Sequence, residues 1–216
     1  MNSKIRDYTG QDIDVQYDVK RCIHARECVS RLSAVFDIDK RPWIQPDNAP
    51  ADTLAETIEH CPTGALHFRR KDGGAAEETP AENTIRLEAN GPLYLRGDLR
   101  ITLSDGSTMT ETRAALCRCG ASSNKPFCDN THKDTGFAAE ATYAANELKI
   151  LEETTTPLEI HPAQNGPVLI DGAFELLNGA GEVVFRGTQA ALCRCGGSTN
   201  KPFCDGTHHR LNFVAD

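Results

Sequence analysis

The first seventy residues carry both of the periodicities that regular secondary structure leaves in a sequence. Apolar and polar side chains alternate over residues 12–19, which predicts a β-strand with one buried face. Cys28, Leu32 and Val35 then fall at the spacing of one helix face. A second helix is predicted over residues 51–60, because the same spacing recurs there and a proline follows. Both helices therefore direct a cysteine inward.

An internal repeat occupies the rest of the chain. Residues 114–137 match residues 190–213 at 17 of 24 positions without a gap. Upstream, residues 90–93 match residues 165–168, so the repeat covers a whole module. Each copy has short apolar stretches separated by Asp-Gly or Asn-Gly turns, which predicts a small antiparallel sheet ahead of a cysteine loop. Residues 71–83, poor in apolar side chains and containing paired glycines, are predicted to be a linker.

Charge narrows the classes of partner. The 216 residues include 31 acidic and 23 basic side chains, for a net charge of −8. Phosphate groups must be neutralised by Lys and Arg, so this excess of acids argues against nucleic acid and anionic membranes. No run approaches the ~18 consecutive apolar residues of a membrane span, and the start lacks a secretory hydrophobic segment. We expect a soluble cytoplasmic protein with no membrane partner.

The cysteine content points to metal or redox chemistry. Nine cysteines cannot all pair as disulfides, and thiols in the cytoplasm stay reduced. Six of them lie in the repeat, where each copy reads C-x-C-x8-C-x3-H. The candidate ligands are Cys117, Cys119, Cys128 and His132 in the first copy, and Cys193, Cys195, Cys204 and His208 in the second.

Three thiolates and one imidazole suit either a tetrahedral zinc ion or a small iron-sulfur cluster. A one-residue gap between cysteines is tighter than in zinc knuckles, but it can place two thiolates on one iron of a two-iron cluster. Gly206 and Asn130 tolerate left-handed backbone, so they let N–H groups turn towards an anionic cluster. Arg118 and Arg194 either offset cluster charge or are solvated surface cations.

These two segments closely resemble the CDGSH iron-sulfur domain, whose pattern is C-x-C-x2-(S/T)-x3-P-x-C-D-G-(S/A/T)-H. The second copy matches throughout, and the first departs only at Asn130. The resemblance implies one 2Fe-2S cluster per motif, held by three cysteines and one histidine. Single-motif members form strand-swapped dimers. Two motifs in one chain resemble the internally duplicated members, which implies an intramolecular pseudo-twofold unit and a monomer in solution.

The remaining cysteines form a third constellation. Bacterial cuboidal clusters use C-x2-C-x2-C plus a remote Cys-Pro. Cys22 and Cys28 match the outer pair and Cys61 the remote position. The middle position is Ala25, so the direct inference is a 3Fe-4S cluster. His24 beside the empty position leaves two alternatives open: it is the fourth ligand of a 4Fe-4S cluster, or it is structural or exposed.

Residues 18–68 resemble the divergent mono-cluster ferredoxin domain, often described as a 4Fe-4S family, which conflicts with the count of three thiolates. The expected fold class is α+β: a small ferredoxin-like α/β domain, then two duplicated β-rich CDGSH modules. The expected boundaries are 1–72 for the ferredoxin-like domain, 73–84 for the linker, 85–150 for the first module and 151–216 for the second.

No catalytic triad, phosphate loop or dinucleotide motif is legible, so we expect no enzyme active site. The expected function is one-electron transfer, because three clusters in one small chain are close enough to relay charge. The expected partner is a redox protein such as a reductase or a cluster acceptor. Two alternatives stay open: a labile cluster donor or redox and pH sensor, and a zinc-binding structural or interaction protein.

Overall fold

A computed structural model describes residues 4–144 and 157–215. The chain divides into two compact units, Met1–Glu78 and Thr79–Asp216, and each is described here by itself. Strands dominate both units, and the helices are short. Within the described residues, no helix is long and apolar enough to cross a membrane.

The amino-terminal unit is a three-stranded antiparallel sheet with two short helices. Its elements are β1 (Ile5–Tyr8), β2 (Ile13–Asp18), α1 (Glu27–Arg31), a 3₁₀ turn (Pro46–Asn48), α2 (Ala51–Glu59) and β3 (Leu66–Arg70). The strand order is β1-β2-β3. The predicted strand and the predicted second helix are confirmed by β2 and α2. Burial alternates along β2, as the sequence indicates.

The first predicted helix is wrong in length. α1 ends at Arg31, because the backbone of Leu32 leaves helical space at φ −142° and ψ 65°. Val35 therefore lies beyond the helix, where its N–H donates to the Leu32 carbonyl in a turn. Val35 still reaches the core and is fully buried. Cys28 is partly buried and packs against the same core.

The core of this unit lies between the sheet and α2. Its buried members are Ile13, Val15, Tyr17, Val35, Phe36, Ile44, Leu54, Ala55, Ile58, Ala65 and Leu66. Trp43 packs on its edge, with its ring centroid 5.1 Å from that of Tyr17 and 6.0 Å from that of Phe36. Partly buried Cys22, Cys28 and Cys61 border this core, so the thiols face apolar side chains on one side.

The carboxy-terminal unit is a six-stranded sheet. Its elements are β4 (Thr84–Leu87), β5 (Leu93–Thr102), β6 (Thr108–Leu116), a 3₁₀ turn (Thr131–Lys133), β7 (Leu158–Pro162), β8 (Val168–Leu177), β9 (Val183–Leu192) and α3 (Thr207–Arg210). The long hairpins β5–β6 and β8–β9 are antiparallel, as the repeat predicts. Each hairpin leads directly into the cysteine loop of its own copy.

Two short strands, β4 and β7, each pair with both copies of the repeat and so join the copies in one sheet. β4 pairs antiparallel with β5 and parallel with β8, the long strand of the other copy. In the same way, β7 pairs antiparallel with β8 and parallel with β5. These pairings close a ring of β4, β5, β7 and β8. The boundary predicted at residues 150 and 151 lies outside the described residues, and the other domain boundaries stay predictions.

One hydrophobic core is built on this ring and on the strands beside it. Its buried members are Ile85, Leu87, Leu93, Leu95, Leu99, Ile101, Ala114, Leu116, Phe127, Leu158, Ile160, Val168, Ile170, Phe174, Leu176 and Leu192. Phe127 belongs to the first cysteine loop, and Phe203 of the second loop packs against the edge of this hydrophobic core. The cysteine loops are therefore anchored to a hydrophobic core that both copies build together.

Candidate metal centres

The first repeat brings its four candidate ligands together in two pairs. Cys117 directly follows β6, and its Sγ lies 3.7 Å from Sγ of Cys119. Across the loop, Sγ of Cys128 lies 3.4 Å from Nδ1 of His132. A short 3₁₀ turn over Thr131–Lys133 presents the imidazole, which is 8% exposed.

The second repeat reproduces this arrangement. Sγ of Cys193 lies 3.8 Å from Sγ of Cys195, and Sγ of Cys204 lies 3.3 Å from Nδ1 of His208. Two thiolates held tetrahedrally at about 2.3 Å from one metal lie roughly 3.8 Å apart. Each pair is therefore spaced as the two protein ligands of a single metal atom.

The pairing has a direct chemical meaning. A two-iron cluster takes two protein ligands on each iron, so a Cys-Cys pair and a Cys-His pair match its two ends. Within the part of the chain that the structure describes, no three His, Cys, Asp or Glu side chains are grouped closely enough to ligate one ion.

Backbone hydrogen bonds fix both loops in the same way. The N–H of Cys117 donates to the Pro126 carbonyl at 2.8 Å, and that of Cys128 donates to the Ala115 carbonyl at 2.8 Å. In the second copy, the corresponding distances are 2.7 Å from Cys193 to the Pro202 carbonyl and 2.8 Å from Cys204 to the Ala191 carbonyl. These bonds join the two ends of each loop, where the first cysteine leaves its strand and the third cysteine returns to it.

A carboxylate braces the first loop from within. Asp129 accepts hydrogen bonds from the backbone N–H and the hydroxyl of Ser123, and from the N–H and hydroxyl of Thr131. Burial raises the pKa of Asp129, but these donors outweigh it and hold the pKa at about 2. Asp205 has the same role in the second loop, where the N–H of Thr199 lowers its pKa most. Both carboxylates are charged at neutral pH.

N–H groups also point at the sulfur atoms, as the sequence predicts. The N–H of Asn130 lies 3.4 Å from Sγ of Cys128, and that of Gly206 lies 3.4 Å from Sγ of Cys204. Asn130 adopts φ 74° and Gly206 adopts φ 82°, so the left-handed backbone predicted for both is confirmed. Such donors stabilise negative charge on sulfur and raise the potential of a cluster bound there.

The pKa values of the four candidate ligands of the first motif depart from their ordinary values. The Cys119 thiol beside it lowers the pKa of Cys117 to about 6, while hydrogen bonding to Cys117 raises the pKa of Cys119. Burial raises the pKa of Cys128 to about 11 and lowers that of His132. Neutral imidazole is the form that binds metal. Bound metal would relieve the cost of bringing these thiolates together.

Both arginines of the C-R-C motifs are buried, so neither is a solvated surface cation. Arg118 is 2% exposed and donates to the carbonyls of Glu88 and Glu140. Arg194 is 1% exposed and donates to the carbonyls of Gly166, Ala163 and Ala215. They join the cysteine loops to distant turns. Nε of Arg118 is buried with no hydrogen-bond partner among the described residues, and an acceptor such as cluster sulfur would satisfy it.

The amino-terminal cysteines share one cavity of about 750 Å³. Cys22 follows β2, Cys28 lies in α1 and Cys61 follows α2, so three elements supply the thiols. Tyr17 and Trp43 form part of its aromatic wall. Burial raises the pKa of Cys28 to about 11, and the neighbouring Cys61 adds to this effect. A cavity with three thiols on its wall fits a cuboidal cluster better than a single ion.

The loop between Cys22 and α1 bends sharply. His24 has φ 54° and Arg26 has φ 68°, both in the left-handed region. His24, Ala25 and Arg26 are exposed and line the mouth of the same cavity. Ala25 thus lies beside the thiols with no atom that can bind iron. His24 lies on the lining of the same cavity as the three thiols.

The contacts that brace the loops were not predicted from the sequence, although the CDGSH pattern includes the aspartate and the Ser/Thr position. They are the hydrogen bonds to Asp129 and Asp205 and those of the hydroxyls of Ser122 and Ser198, each donated to a loop carbonyl. Their identity in both copies of the repeat was the available signal. Tyr17 and Trp43 carried no comparable signal, because aromatic residues in a core are common.

Three thiolate sites on a β-rich scaffold define an iron-sulfur cluster-binding protein. Residues 8–71 match the family described as a divergent 4Fe-4S mono-cluster domain, and residues 90–133 and 165–209 match the iron-binding zinc finger of CDGSH type. The chain belongs to the divergent mono-cluster family through its amino-terminal unit and carries two CDGSH segments after it. Both resemblances predicted from the motifs are confirmed.

Two relatives match part of the chain. They are "Uncharacterized protein YjdI" of Escherichia coli strain K12 and the protein of the same name in Escherichia coli O157:H7. Each is 39% identical over 66 residues, which cover 31% of this chain and 87% of the relative.

Proposed function

We propose that this protein is a one-electron carrier that holds two 2Fe-2S clusters and one cuboidal 3Fe-4S cluster. The paired spacing of the repeat ligands is the main support, because Sγ–Sγ distances of 3.7 and 3.8 Å suit two thiolates on one iron. Bound clusters would supply reversible one-electron oxidation and reduction. The chain's own residues bind, orient and shield them.

The four candidate ligands of each repeat would bind two irons, with two ligands on each iron. Cys117 and Cys119 would hold one iron and Cys128 with His132 the other, and the second motif would repeat this with Cys193, Cys195, Cys204 and His208. Cys117 and Cys193 are buried at the ends of strands and His132 is buried as well, while His208 is partly exposed. Of the two imidazoles, His208 is therefore the natural contact for a redox partner, such as a reductase or a cluster acceptor.

A cluster-binding role accounts for the chain without an enzyme active site. The strands β4 and β7, which each pair with both copies, support one intramolecular unit with pseudo-twofold symmetry, and hence a monomer in solution. The zinc alternative needs four ligands around one ion, whereas the structure spaces them two and two.

Iron and sulfide counts with electron paramagnetic resonance (EPR) test this proposal directly. Protein purified without oxygen should be brown or red and contain about seven irons per chain, as two, two and three. A colourless protein with stoichiometric zinc after anaerobic expression would overturn the proposal.

The ligand role of His208 predicts a shift in potential. His208→Cys should lower the reduction potential of the second repeat cluster by on the order of 100 mV, since thiolate donates more negative charge than imidazole. Loss of that cluster in acid should also slow, because protons no longer compete with iron for the imidazole below the ~6.5 of free histidine.

The neighbouring His209 provides the matched control for this change. Its exposed ring is tilted against that of His208, with the centroids 4.0 Å apart, and it belongs to neither ligand pair described above. His209→Ala should leave both the potential and the acid stability as in the wild type. Equal behaviour of His208→Cys and the wild type would remove His208 from the ligand set.

A further inference from the structure

The two cysteine loops of the carboxy-terminal unit touch at one glycine each. A Cβ on Gly120 would lie 2.6 Å from the carbonyl oxygen of Cys195 and 2.8 Å from its carbonyl carbon. A Cβ on Gly196 would lie 2.5 Å from the carbonyl oxygen of Cys119 and 3.0 Å from its carbonyl carbon. Each motif thus places its glycine on the backbone of the other motif's second cysteine. The contact is reciprocal.

The close approach of the other loop's backbone, and not only the turn, explains why these two positions are glycine. Gly120 has φ 83° and Gly196 has φ 78°. Gly106 has φ 81° and meets nothing among the described residues within 4 Å of its Cβ position. The same backbone conformation therefore occurs with open space beside it. At Gly120 and Gly196 any side chain would instead push two ligand-bearing loops apart.

In the proposed function, each contact joins a ligand residue of one motif to the glycine that follows the matching ligand of the other motif. Gly120 follows Cys119 and meets the backbone of Cys195, and Gly196 follows Cys195 and meets the backbone of Cys119. A single glycine therefore lies between the two ligand residues at each contact.

We propose that the reciprocal contact at Gly120 and Gly196 is the route by which one electron passes between the two repeat clusters. The inference rests on the proposed function, which gives each motif a 2Fe-2S cluster. One ferrous iron becomes ferric in the reduced motif and one ferric iron becomes ferrous in the other, with no proton or atom transferred. Tunnelling falls steeply with distance through protein, so a contact that leaves a single glycine between the two ligand residues favours this exchange. Gly120 and Gly196 are positioning residues.

Glycine substitutions in the full, cluster-loaded chain test this route. Gly120→Ala and Gly196→Ala add the clashing methyl group, whereas Gly106→Ala adds the same backbone strain without the clash. Gly120→Asn is the second variant, because asparagine tolerates a positive φ and so keeps the loop folded while still adding a Cβ. Iron and sulfide are counted in each. EPR then compares the half-reduced and fully reduced repeat clusters.

In the wild type and Gly106→Ala, full reduction should split or broaden the EPR lines and speed spin relaxation, because two neighbouring clusters are then paramagnetic. Gly120→Ala, Gly196→Ala and Gly120→Asn should show this interaction several-fold weaker, with full iron content. An unchanged interaction in all three, at full iron content, would overturn the route and leave the proposed cluster content standing. A wild type without 2Fe-2S signals would overturn the proposed function, and the route with it.

Discussion

Removing the clusters is expected to unfold the amino-terminal unit. A unit of this size, Met1–Glu78, has a folding stability on the order of 4–12 kcal/mol, and structural metal sites contribute apparent binding energies of about 10–16 kcal/mol. Its three thiols come from the loop after β2, from α1 and from the end of α2. A bound cluster would therefore tie these three segments to one another at the border of the core. Without it, the 750 Å³ cavity loses its content and its walls lose their packing.

Trp43 reports this change because it is the only tryptophan in the chain. It lines the cavity and packs on Tyr17, so a nearby cluster should quench its emission. After chelation, the fluorescence should rise and shift to longer wavelength as water reaches the ring, and trypsin should cut residues 4–78. Cys204→Ala is the control, because it removes one repeat ligand and should leave the emission of Trp43 as in the loaded wild type. An apoprotein that resists trypsin and whose Trp43 emission stays at short wavelength would contradict this expectation.

Ala25→Cys should convert the amino-terminal centre from three irons to four. The oxidised wild type should show the EPR signal of an odd-electron 3Fe-4S cluster, whereas an oxidised 4Fe-4S cluster of the usual charge is silent. A thiolate at position 25 restores the C-x2-C-x2-C spacing of four-iron ferredoxins. Ala25 is exposed at the cavity mouth, so the side chain can be enlarged without disturbing the core. The signal should disappear and the iron content rise by one.

Two further variants separate the thiolate from other causes. Ala25→Val adds comparable bulk without a ligand and should keep the three-iron signal. His24→Ala removes the neighbouring imidazole and should also keep it. An EPR-silent oxidised wild type with eight irons, which loses one iron in His24→Ala, would defeat the three-iron assignment and make His24 the fourth ligand.

Local spacing explains why the candidate metal centres could be located before the fold was known. Candidate ligands such as Cys117 and Cys119 lie two residues apart, so the loop that joins them fixes their separation. The strand β2 was predictable for the same reason, since alternation acts over neighbouring residues. The first helix failed because the spacing of Cys28, Leu32 and Val35 also arises in a turn, and only tertiary packing distinguishes the two.

Contacts between distant segments left no local signal. The parallel pairing of β4 with β8 joins Thr84 to Glu175, and no turn or periodicity records such a partner. The burial of Arg194 has the same origin, because its carbonyl partners on Ala163, Gly166 and Ala215 are remote in sequence. A charged side chain between two ligands is exposed or buried according to segments that sequence patterns do not connect.

The pairing of β4 and β7 with both copies also constrains how the chain can evolve. Duplicated modules that fold separately can drift apart, since a damaged copy leaves its twin intact. Here a substitution in β4 alters the sheet beneath the second motif as well as the first, because β4 pairs with both β5 and β8. Selection on either half therefore acts on both. Of the seven positions at which residues 114–137 differ from residues 190–213, four lie together at residues 133–136 and 209–212, which are exposed and belong to neither β4 nor β7.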